Sequence, residues 1–264
     1  MNLKKLNNST ILITGASSGL GREFSKLLSQ LELNLILVAR RIERLEELKT
    51  QLEQEGHCKV FIIVQDLATM DGPKLCYDKV NELELSVDVL INNAGFGLSD
   101  EFLDIPLNQY LDLININNRA LIQMTYLFLP EMVKRKKGYI LNVSSVLGAM
   151  PIPNMAVYGA SKSFVLSFSE SLWKEYRRKG ITVTVLVSVG IETEFFNLVK
   201  KRKFRFLPVQ KPDIVAKKAI TGLLKRKRIA YTGIFYALLV HLKRILPQRV
   251  VIWIMGSSYN SNLH

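Results

Sequence analysis

Apolar residues follow two alternating patterns along this chain. Short runs rich in Val, Ile and Leu alternate with longer segments in which apolar residues recur every three or four positions. The first pattern is typical of buried parallel strands and the second of amphipathic helices. Their regular alternation predicts an α/β fold with a doubly wound, seven-stranded parallel sheet in a three-layer α/β/α arrangement. The predicted strands are Thr10–Thr14, Asn34–Val38, Val60–Gln65, Val87–Ile91, Tyr139–Val143, Thr182–Val187 and Ile229–Thr232.

The length of 264 residues fits one domain of this kind, spanning 1–264. No internal repeat, low-complexity linker or Pro/Gly-rich boundary divides the sequence. Two segments stand apart from the strand and helix pattern. The connection 191–212 is expected to form a lid over a substrate, because long insertions at such places are commonly functional. The segment 233–264 forms a C-terminal extension of mixed basic and apolar residues.

The excess of positive charge over negative charge in this chain is confined to its C-terminal quarter. The net charge is +13, whereas residues 195–264 contain fifteen Lys or Arg and a single acid, Asp213. Apolar segments such as Ile234–Leu242 interrupt the charges, but they are shorter than the ~20 residues needed to cross a bilayer. Two interpretations stay open: the extension lies on an anionic membrane surface, or it packs on the domain or on a second subunit. Nucleic-acid binding is not expected, since no aromatic stacking platform accompanies the charge.

The remaining composition favours an intracellular protein without a metal. The segment before Thr10 is polar and lacks the apolar stretch of a secretory signal. Cys58 and Cys76 have neither metal-binding nor redox spacing, which favours ordinary reduced thiols. The three histidines lie near no motif. We therefore expect a cytoplasmic protein, peripherally membrane-associated if the extension binds lipid, and a homodimer or homotetramer.

A glycine-rich turn joins the first predicted strand to the first helix. Residues Gly15–Gly21 read Gly-Ala-Ser-Ser-Gly-Leu-Gly and precede the helical pattern of 22–31. Glycines allow a tight turn, and the free amides at a helix N-terminus bind phosphate groups. The spacing differs from the Gly-x-Gly-x-x-Gly that is commoner in Rossmann-type folds. Alone, the turn is also compatible with an ordinary strand-to-helix connection.

Tyr158 and Lys162 are the strongest candidates for chemistry. On a helix over Ala156–Lys179 they lie one turn apart, with Cβ atoms about 5–6 Å from each other. A free tyrosine ionises near pH ~10, so we expect the neighbouring ammonium to lower the pKa of Tyr158 and suit it to proton transfer. Ser145, thirteen positions before Tyr158, adds a hydroxyl. The spacing alone also occurs by chance in amphipathic helices.

Together these motifs resemble the short-chain dehydrogenase/reductase family over the region from Thr10 to about Thr232. The motifs that carry the resemblance, in family order, are Thr14–Gly21, Asp66, Asn92–Gly95, Asn117, Asn142–Ser145, Tyr158, Lys162 and Thr193. The resemblance implies a Rossmann-type fold and a catalytic tetrad of Asn117, Ser145, Tyr158 and Lys162. Asn117 is chosen because it stands thirteen positions before Pro130, and Asn118 is the alternative.

The resemblance also implies a nicotinamide dinucleotide, and the end of the second strand indicates which one. The chain has Ala39 where similar NAD(H)-binding enzymes have an acid, and Arg40 and Arg41 follow. A guanidinium binds phosphate through two parallel hydrogen bonds, so Arg40 favours NADP(H). The alternative is that both arginines only begin an exposed helix. The expected cofactor contacts are Gly15, Ser17, Ser18, Gly19, Leu20, Gly21, Arg40, Arg41, Asp66, Leu67, Asn93, Ala94, Gly95, Tyr158, Lys162, Ile191 and Thr193.

Mostly apolar residues are expected around the substrate, which favours a lipophilic carbonyl or alcohol. The expected contacts are Ser145, Leu147, Met150, Ile152, Met155 and Phe195, with Phe96 and Phe196 as further candidates. Each apolar member is equally compatible with a role in the core. The predicted function is an NADP(H)-dependent oxidoreductase that interconverts a carbonyl and an alcohol by hydride transfer, with Tyr158 as acid or base. The alternatives are a 3-oxoacyl thioester reductase of lipid synthesis and a non-catalytic NADP(H)-binding regulatory or membrane-associated protein.

Overall fold

Seven parallel strands form the centre of the molecule. The computed structural model describes residues 3–192, 209–233, 247 and 249–252. The strands are β1 (Thr10–Thr14), β2 (Asn34–Ala39), β3 (Lys59–Val64), β4 (Val89–Asn92), β5 (Gly138–Ser145), β6 (Ile181–Ser188) and β7 (Ile229–Tyr231). All neighbouring strands pair in parallel. Each strand begins and ends within two residues of its predicted bounds, and the predicted fold class is confirmed.

Helices connect the strands and cover both faces of the sheet. The α-helices are α1 (Gly19–Ser29), α2 (Ile42–Glu55), α3 (Gly72–Glu82), α4 (Leu107–Ile114), α5 (Ala120–Lys134), α6 (Ala156–Tyr176) and α7 (Pro212–Leu224). A π-helical segment, Asn115–Arg119, joins α4 to α5. Short 3₁₀ turns occur at Leu3–Leu6, Phe102–Asp104, Val146–Gly148 and Arg177–Lys179.

Successive residues of each buried strand contribute to opposite faces of the sheet. Ile11 and Ile13 of β1 belong to an apolar cluster with Phe24 of α1. Leu12, between them, belongs to a second cluster with Phe128 of α5. All five β1 residues are buried, as are all eight of β6. The continuous apolar runs in the sequence therefore reflect strands that are covered on both sides.

The strand order β3-β2-β1-β4-β5-β6-β7 places the point of reversal between β1 and β4. The chain runs outward from β1 through β2 to β3, and then returns across the sheet to β4. In open parallel sheets, the crevice at the carboxyl ends of the strands beside this point is where ligands bind. The turn after β1, the loop after β4 and the end of β5 therefore surround one cleft.

The two ends of the segment 191–212 lie side by side. Ile191 and Gln210 form a parallel β-bridge, in which the Gln210 amide donates to the Gly190 carbonyl at 2.9 Å. Most of the predicted lid, and most of the extension 233–264, lie outside the described residues. Within the part of the chain that the structure covers, no helix is both long and apolar enough to cross a membrane.

Both cysteines are buried and unpaired. Burial raises the pKa of Cys58 to about 11 and that of Cys76 to about 12. Both groups are therefore protonated at neutral pH, as expected of structural thiols rather than reactive ones.

Candidate active site

The glycine-rich turn lies at the carboxyl end of β1, where it leads into α1. Gly15 has a φ of +65°, which side chains rarely allow, and a Cβ there would lie 2.9 Å from the Cα of Ala94. At Gly21, a Cβ would lie 2.2 Å from the carbonyl oxygen of Gly15. The start of α1 can therefore approach the turn this closely only because residue 21 is a glycine and has no side chain. Residues 18–20 at this helix start line the central cavity, in the arrangement that binds phosphate.

Hydrogen bonds hold this turn against the loop that follows β4. The Asn93 side-chain amide donates to the carbonyls of Thr14 at 2.9 Å and Gly15 at 3.2 Å. The Thr14 hydroxyl oxygen in turn accepts from the backbone amides of Asn93 and Ala94, each at 3.0 Å. Each segment thus satisfies polar groups of the other, and the two walls of the cleft are fixed relative to one another.

Two arginines mark the end of the cleft beside β2. A terminal Nη of Arg41 donates to the hydroxyl of Ser17 at 3.3 Å. Arg40 forms an ion pair with Asp66 at 3.6 Å, and its side chain is 73% exposed. Both arginines, Ser17 and Asp66 line the cavity, and the neighbouring Ala39 adds no negative charge. This end of the cleft therefore presents a basic group and a hydroxyl to an anion.

Ser145, Tyr158 and Lys162 meet at the opposite end. Ser145 ends β5, whereas Tyr158 and Lys162 lie one turn apart on α6. The Lys162 Nζ donates to the carbonyl of Val143 at 3.1 Å and lies 5.8 Å from the centroid of the Tyr158 ring. The Ser145 hydroxyl accepts the backbone amide of Leu147 at 3.2 Å and hydrogen-bonds with Tyr158. The structure thus brings together the hydroxyl, phenol and ammonium predicted from the sequence.

Burial is the main cause of the pKa shifts of Tyr158 and Lys162. It raises the pKa of Tyr158 to about 12, and the hydrogen bond with Ser145 opposes the rise only in part. It lowers the pKa of Lys162 from 10.5 to about 8. The expectation of a lowered pKa for Tyr158 is wrong for the pair as the structure holds it. The reason is that removing both groups from water favours their neutral forms more than their proximity favours ionisation.

Two adjacent asparagines occupy different positions in the π-helical segment. Asn117 exchanges two hydrogen bonds with the backbone of Phe96, accepting its amide at 3.1 Å and donating to its carbonyl at 3.0 Å. It also donates to the Ser161 hydroxyl at 3.0 Å. Asn118 instead donates to the Ser161 carbonyl at 2.9 Å. Asn117 therefore joins the loop after β4 to α6, whereas Asn118 contacts only α6 among these partners.

Ser161 is a residue of the site that the sequence reasoning missed. Its hydroxyl donates to the Tyr158 carbonyl at 2.7 Å and accepts from Asn117, so it connects the asparagines to the Tyr158–Lys162 turn. Its place within the Tyr158-Gly-Ala-Ser-Lys162 motif was the available signal. A second missed feature is the buried contact between the side chains of Asn92 and Asn142 at 2.9 Å, which joins the end of β4 to the middle of β5.

A single cavity of about 780 Å³ contains most of the predicted site. Of the predicted cofactor and substrate residues, it is lined by Gly15, Ser17, Ser18, Gly19, Leu20, Arg40, Arg41, Asp66, Leu67, Asn93, Ala94, Gly95, Phe96, Ser145, Leu147, Met155, Tyr158, Lys162 and Ile191. Gly21 and Asn117 stand behind this surface, as do Met150 and Ile152, which are buried in the core. Thr193, Phe195 and Phe196 lie outside the described residues. Asp112 and Thr69 line the cavity without having been predicted.

The fold and the site together define a dinucleotide-binding oxidoreductase. The sheet is doubly wound and parallel, a glycine turn lies at its point of reversal, and a serine, a tyrosine and a lysine meet at one end of the same cavity. The chain belongs to the short-chain dehydrogenase family, since the family model described as short chain dehydrogenase matches residues 9–203.

Curated relatives and a solved structure agree with this assignment. The very-long-chain 3-oxoacyl-CoA reductase of Rattus norvegicus is 32% identical over 246 residues, which are 90% of this chain and 75% of that protein. The 17-beta-hydroxysteroid dehydrogenase type 3 of Homo sapiens is 36% identical over 185 residues, or 69% of this chain and 59% of that protein. A short-chain dehydrogenase from Sphingobium yanoikuyae, solved in complex with NADPH, superimposes with a TM-score of 0.80 at 28% identity, covering 89% of this chain and 94% of that one.

Proposed function

We propose that this protein is an NADP(H)-dependent reductase that converts a carbonyl on a lipophilic substrate to an alcohol, and that the substrate is a long-chain 3-oxoacyl thioester. The observation that carries the proposal is the meeting of Ser145, Tyr158 and Lys162 at the end of a cavity whose neighbouring walls are apolar, including Leu147 and Met155. A carbonyl placed there has a hydroxyl and a protonated phenol within one polar cluster, surrounded by surface that suits an alkyl chain.

The preference for NADP(H) is argued from the other end of the cavity. Ser17 and Arg41 are joined at 3.3 Å and face the same cavity as the glycine turn. A guanidinium and a hydroxyl suit the additional phosphate of NADP(H). Position 39 is an alanine and not the acid that would bind a ribose hydroxyl of NAD(H). The similar enzyme of Sphingobium yanoikuyae was solved with NADPH. The turn residues Gly15 and Gly21 leave the space that a pyrophosphate needs beside the start of α1.

When bound, the cofactor supplies the hydride. The chain's own residues then act on the substrate oxygen. Ser145 donates a hydrogen bond to that oxygen, and Tyr158 transfers a proton to it as negative charge develops. Lys162, held by the Val143 carbonyl, places a positive charge beside the phenol and would hold the nicotinamide ribose of a bound cofactor. Asn117 fixes the loop at Phe96 against α6, the helix that carries Tyr158.

The choice of substrate class is supported by the relatives. The rat protein is named as a very-long-chain 3-oxoacyl-CoA reductase, and the chain covers three quarters of it. The human relative named as a 17-beta-hydroxysteroid dehydrogenase supports a second candidate, a steroid ketone, but the chain spans only 59% of that protein. Both are carbonyls on large apolar groups, in agreement with the apolar walls.

The test is a spectrophotometric assay of NADPH consumption with 3-oxohexadecanoyl-CoA, a 17-keto steroid and a short aldehyde, using wild-type protein and Tyr158→Phe. We expect the thioester to give the highest kcat/KM, and the variant to lose turnover while it retains NADPH binding in a fluorescence titration. Undiminished turnover by Tyr158→Phe would refute the role of the tyrosine. Preference for the steroid would replace the substrate with the second candidate. NADPH binding without turnover of any carbonyl would favour the non-catalytic alternative.

We further propose that the basic extension binds an anionic membrane surface, and that the protein works as a homodimer or homotetramer in the cytoplasm. The fifteen basic residues and one acid of 195–264 provide the attraction for anionic lipid. The extension 233–264 holds three of those basic residues and supplies the apolar segments that would enter the membrane interface. The expected result is salt-sensitive binding to phosphatidylserine vesicles that is lost on truncation after Thr232, while neutral vesicles do not bind. Light scattering gives the oligomeric state. Vesicle binding that survives truncation would contradict the proposal.

A further inference from the structure

One residue of the C-terminal extension is buried beside the proposed active site. Val251 is 5% exposed, whereas its neighbours Val250 and Ile252 are 40% and 41% exposed. The backbone amides of Val250 and Val251 both donate to the carbonyl of Pro247, at 3.0 and 3.3 Å, which closes a helical turn. Of these three adjacent apolar residues, only Val251 is enclosed by the protein.

The cluster that encloses Val251 is the one that contains Tyr158. Its other buried members come from α4, from the loop between β5 and α6, and from the end of β6; they are Leu113, Val146, Leu147, Ala149, Met150, Ile152, Met155, Val187 and Val189. Four members of this cluster, namely Leu147, Met155, Tyr158 and Val189, also line the cavity. Val251, like Met150 and Ile152, belongs to the cluster without lining the cavity. The extension therefore supplies part of the packing behind the apolar wall.

We propose that Val251 is a specificity-determining residue, which sets the size of the apolar group that the substrate end of the cavity accepts. This rests on the proposed function. Protein interiors are packed as densely as crystals, so a change of volume behind a wall moves the wall itself. Removing the two methyl groups of Val251 loosens the packing of the cluster to which Leu147 and Met155 belong. These wall residues can then move outward, which favours a longer alkyl chain. A larger side chain pushes the wall inward and disfavours it.

Neighbouring residues in the same turn provide a matched control. Val251→Ala and Val250→Ala remove the same atoms, one pair from the buried cluster and the other from an exposed side chain. The assay compares kcat/KM for 3-oxohexadecanoyl-CoA with that for acetoacetyl-CoA. We expect Val251→Ala to raise the long-to-short ratio roughly tenfold, the scale on which an apolar pocket distinguishes a methylene. Val250→Ala leaves the ratio unchanged, and KM for NADPH is unchanged in both variants.

Val251→Phe provides a second measurement, also decisive if the alanine variant fails to fold. It should lower the long-to-short ratio while short-chain turnover persists. Equal ratios in wild-type protein and in every folded Val251 variant would overturn the proposal, as would an equal effect of Val250→Ala. If the wild-type protein reduces neither thioester, the proposed substrate is refuted but the proposed role of Val251 is not. That role is then decided by the ratio of kcat/KM for a bulky ketone to kcat/KM for a small one. If no carbonyl is reduced, both proposals fail.

Discussion

We expect the buried Lys162 to lower the free energy of unfolding of this protein, although the proposed reaction uses its charge. Its side chain is buried, and burial lowers its pKa from 10.5 to about 8. A shift of this size corresponds to roughly 3 kcal/mol of unfavourable free energy for the charged form in the folded protein. Replacing Lys162 with methionine keeps a long apolar stem and removes the charge. The hydrogen bond to the Val143 carbonyl, worth about 1 kcal/mol, is lost as well. The net expectation at pH 7 is that Lys162→Met raises the free energy of unfolding by about 1–2 kcal/mol and abolishes turnover.

The pH dependence of this effect has a definite sign. Between pH 8 and 10.5 the unfolded chain keeps a proton on Lys162 that the folded protein has lost, so wild-type stability rises with pH through that window. The methionine variant lacks this contribution. Its advantage over wild type should therefore shrink by roughly 2 kcal/mol between pH 7 and pH 9.5. Urea unfolding at both pH values, in the absence of cofactor, measures the difference.

Lys174 provides the control for this experiment. It lies on the same helix, α6, and is exposed, so Lys174→Met should change the free energy of unfolding little at either pH. The reasoning would be refuted by a Lys162→Met variant no more stable than wild type at pH 7, or by a stability difference that is the same at pH 7 and 9.5. Loss of turnover alone would not distinguish the burial argument from a purely catalytic role.

Three further changes test other parts of the site. Gly21→Ala places a Cβ 2.2 Å from the Gly15 carbonyl oxygen, so it should lower the free energy of unfolding in urea by about 1–3 kcal/mol and raise KM for NADPH. An unchanged KM would contradict the close approach. Asn118→Leu removes the hydrogen bond to the Ser161 carbonyl, so kcat should fall roughly tenfold while KM for NADPH stays unchanged. An unaltered kcat would show that Asn117 alone positions α6. Arg41→Ala should raise KM for NADPH roughly 10- to 100-fold and leave KM for NADH unchanged, which kinetics with both cofactors will measure; equal effects on both would exclude a phosphate contact.

The strands and the site's principal motifs were predictable because each depends on local sequence. A strand covered on both faces requires a continuous apolar run, so β1 at Thr10–Thr14 was located to the residue. The glycine turn and the Tyr158–Lys162 spacing likewise refer to residues within one or two turns of each other. Their meeting in one cavity then follows from the topology, since parallel strands deliver their carboxyl ends to the same edge.

What was not predictable depends on burial and on contacts between distant segments. The sequence places a cation beside a phenol, but only the folded structure shows that both are removed from water, which reverses the expected direction of the Tyr158 pKa. Asn117 and Asn118 are adjacent and chemically identical, and only the π-helical segment shows that they contact different atoms. Val251 reaches the active-site cluster from nearly a hundred positions beyond Tyr158, a separation without local signal.

The acidity of the site also bears on the direction of the reaction. Because burial raises the pKa of Tyr158 to about 12, this side chain is a protonated phenol at pH 7. A protonated phenol is the form that reduction of a carbonyl requires, whereas oxidation of an alcohol requires the phenolate as base. Lys162, with a pKa of about 8, carries its charge at neutral pH and would stabilise a phenolate beside it. A protonated Tyr158 beside a charged Lys162 therefore suits the reduction proposed above. Carbonyl reduction should therefore stay constant from pH 6 to 7 and decline as pH rises through 8, while alcohol oxidation should increase with pH over the same range.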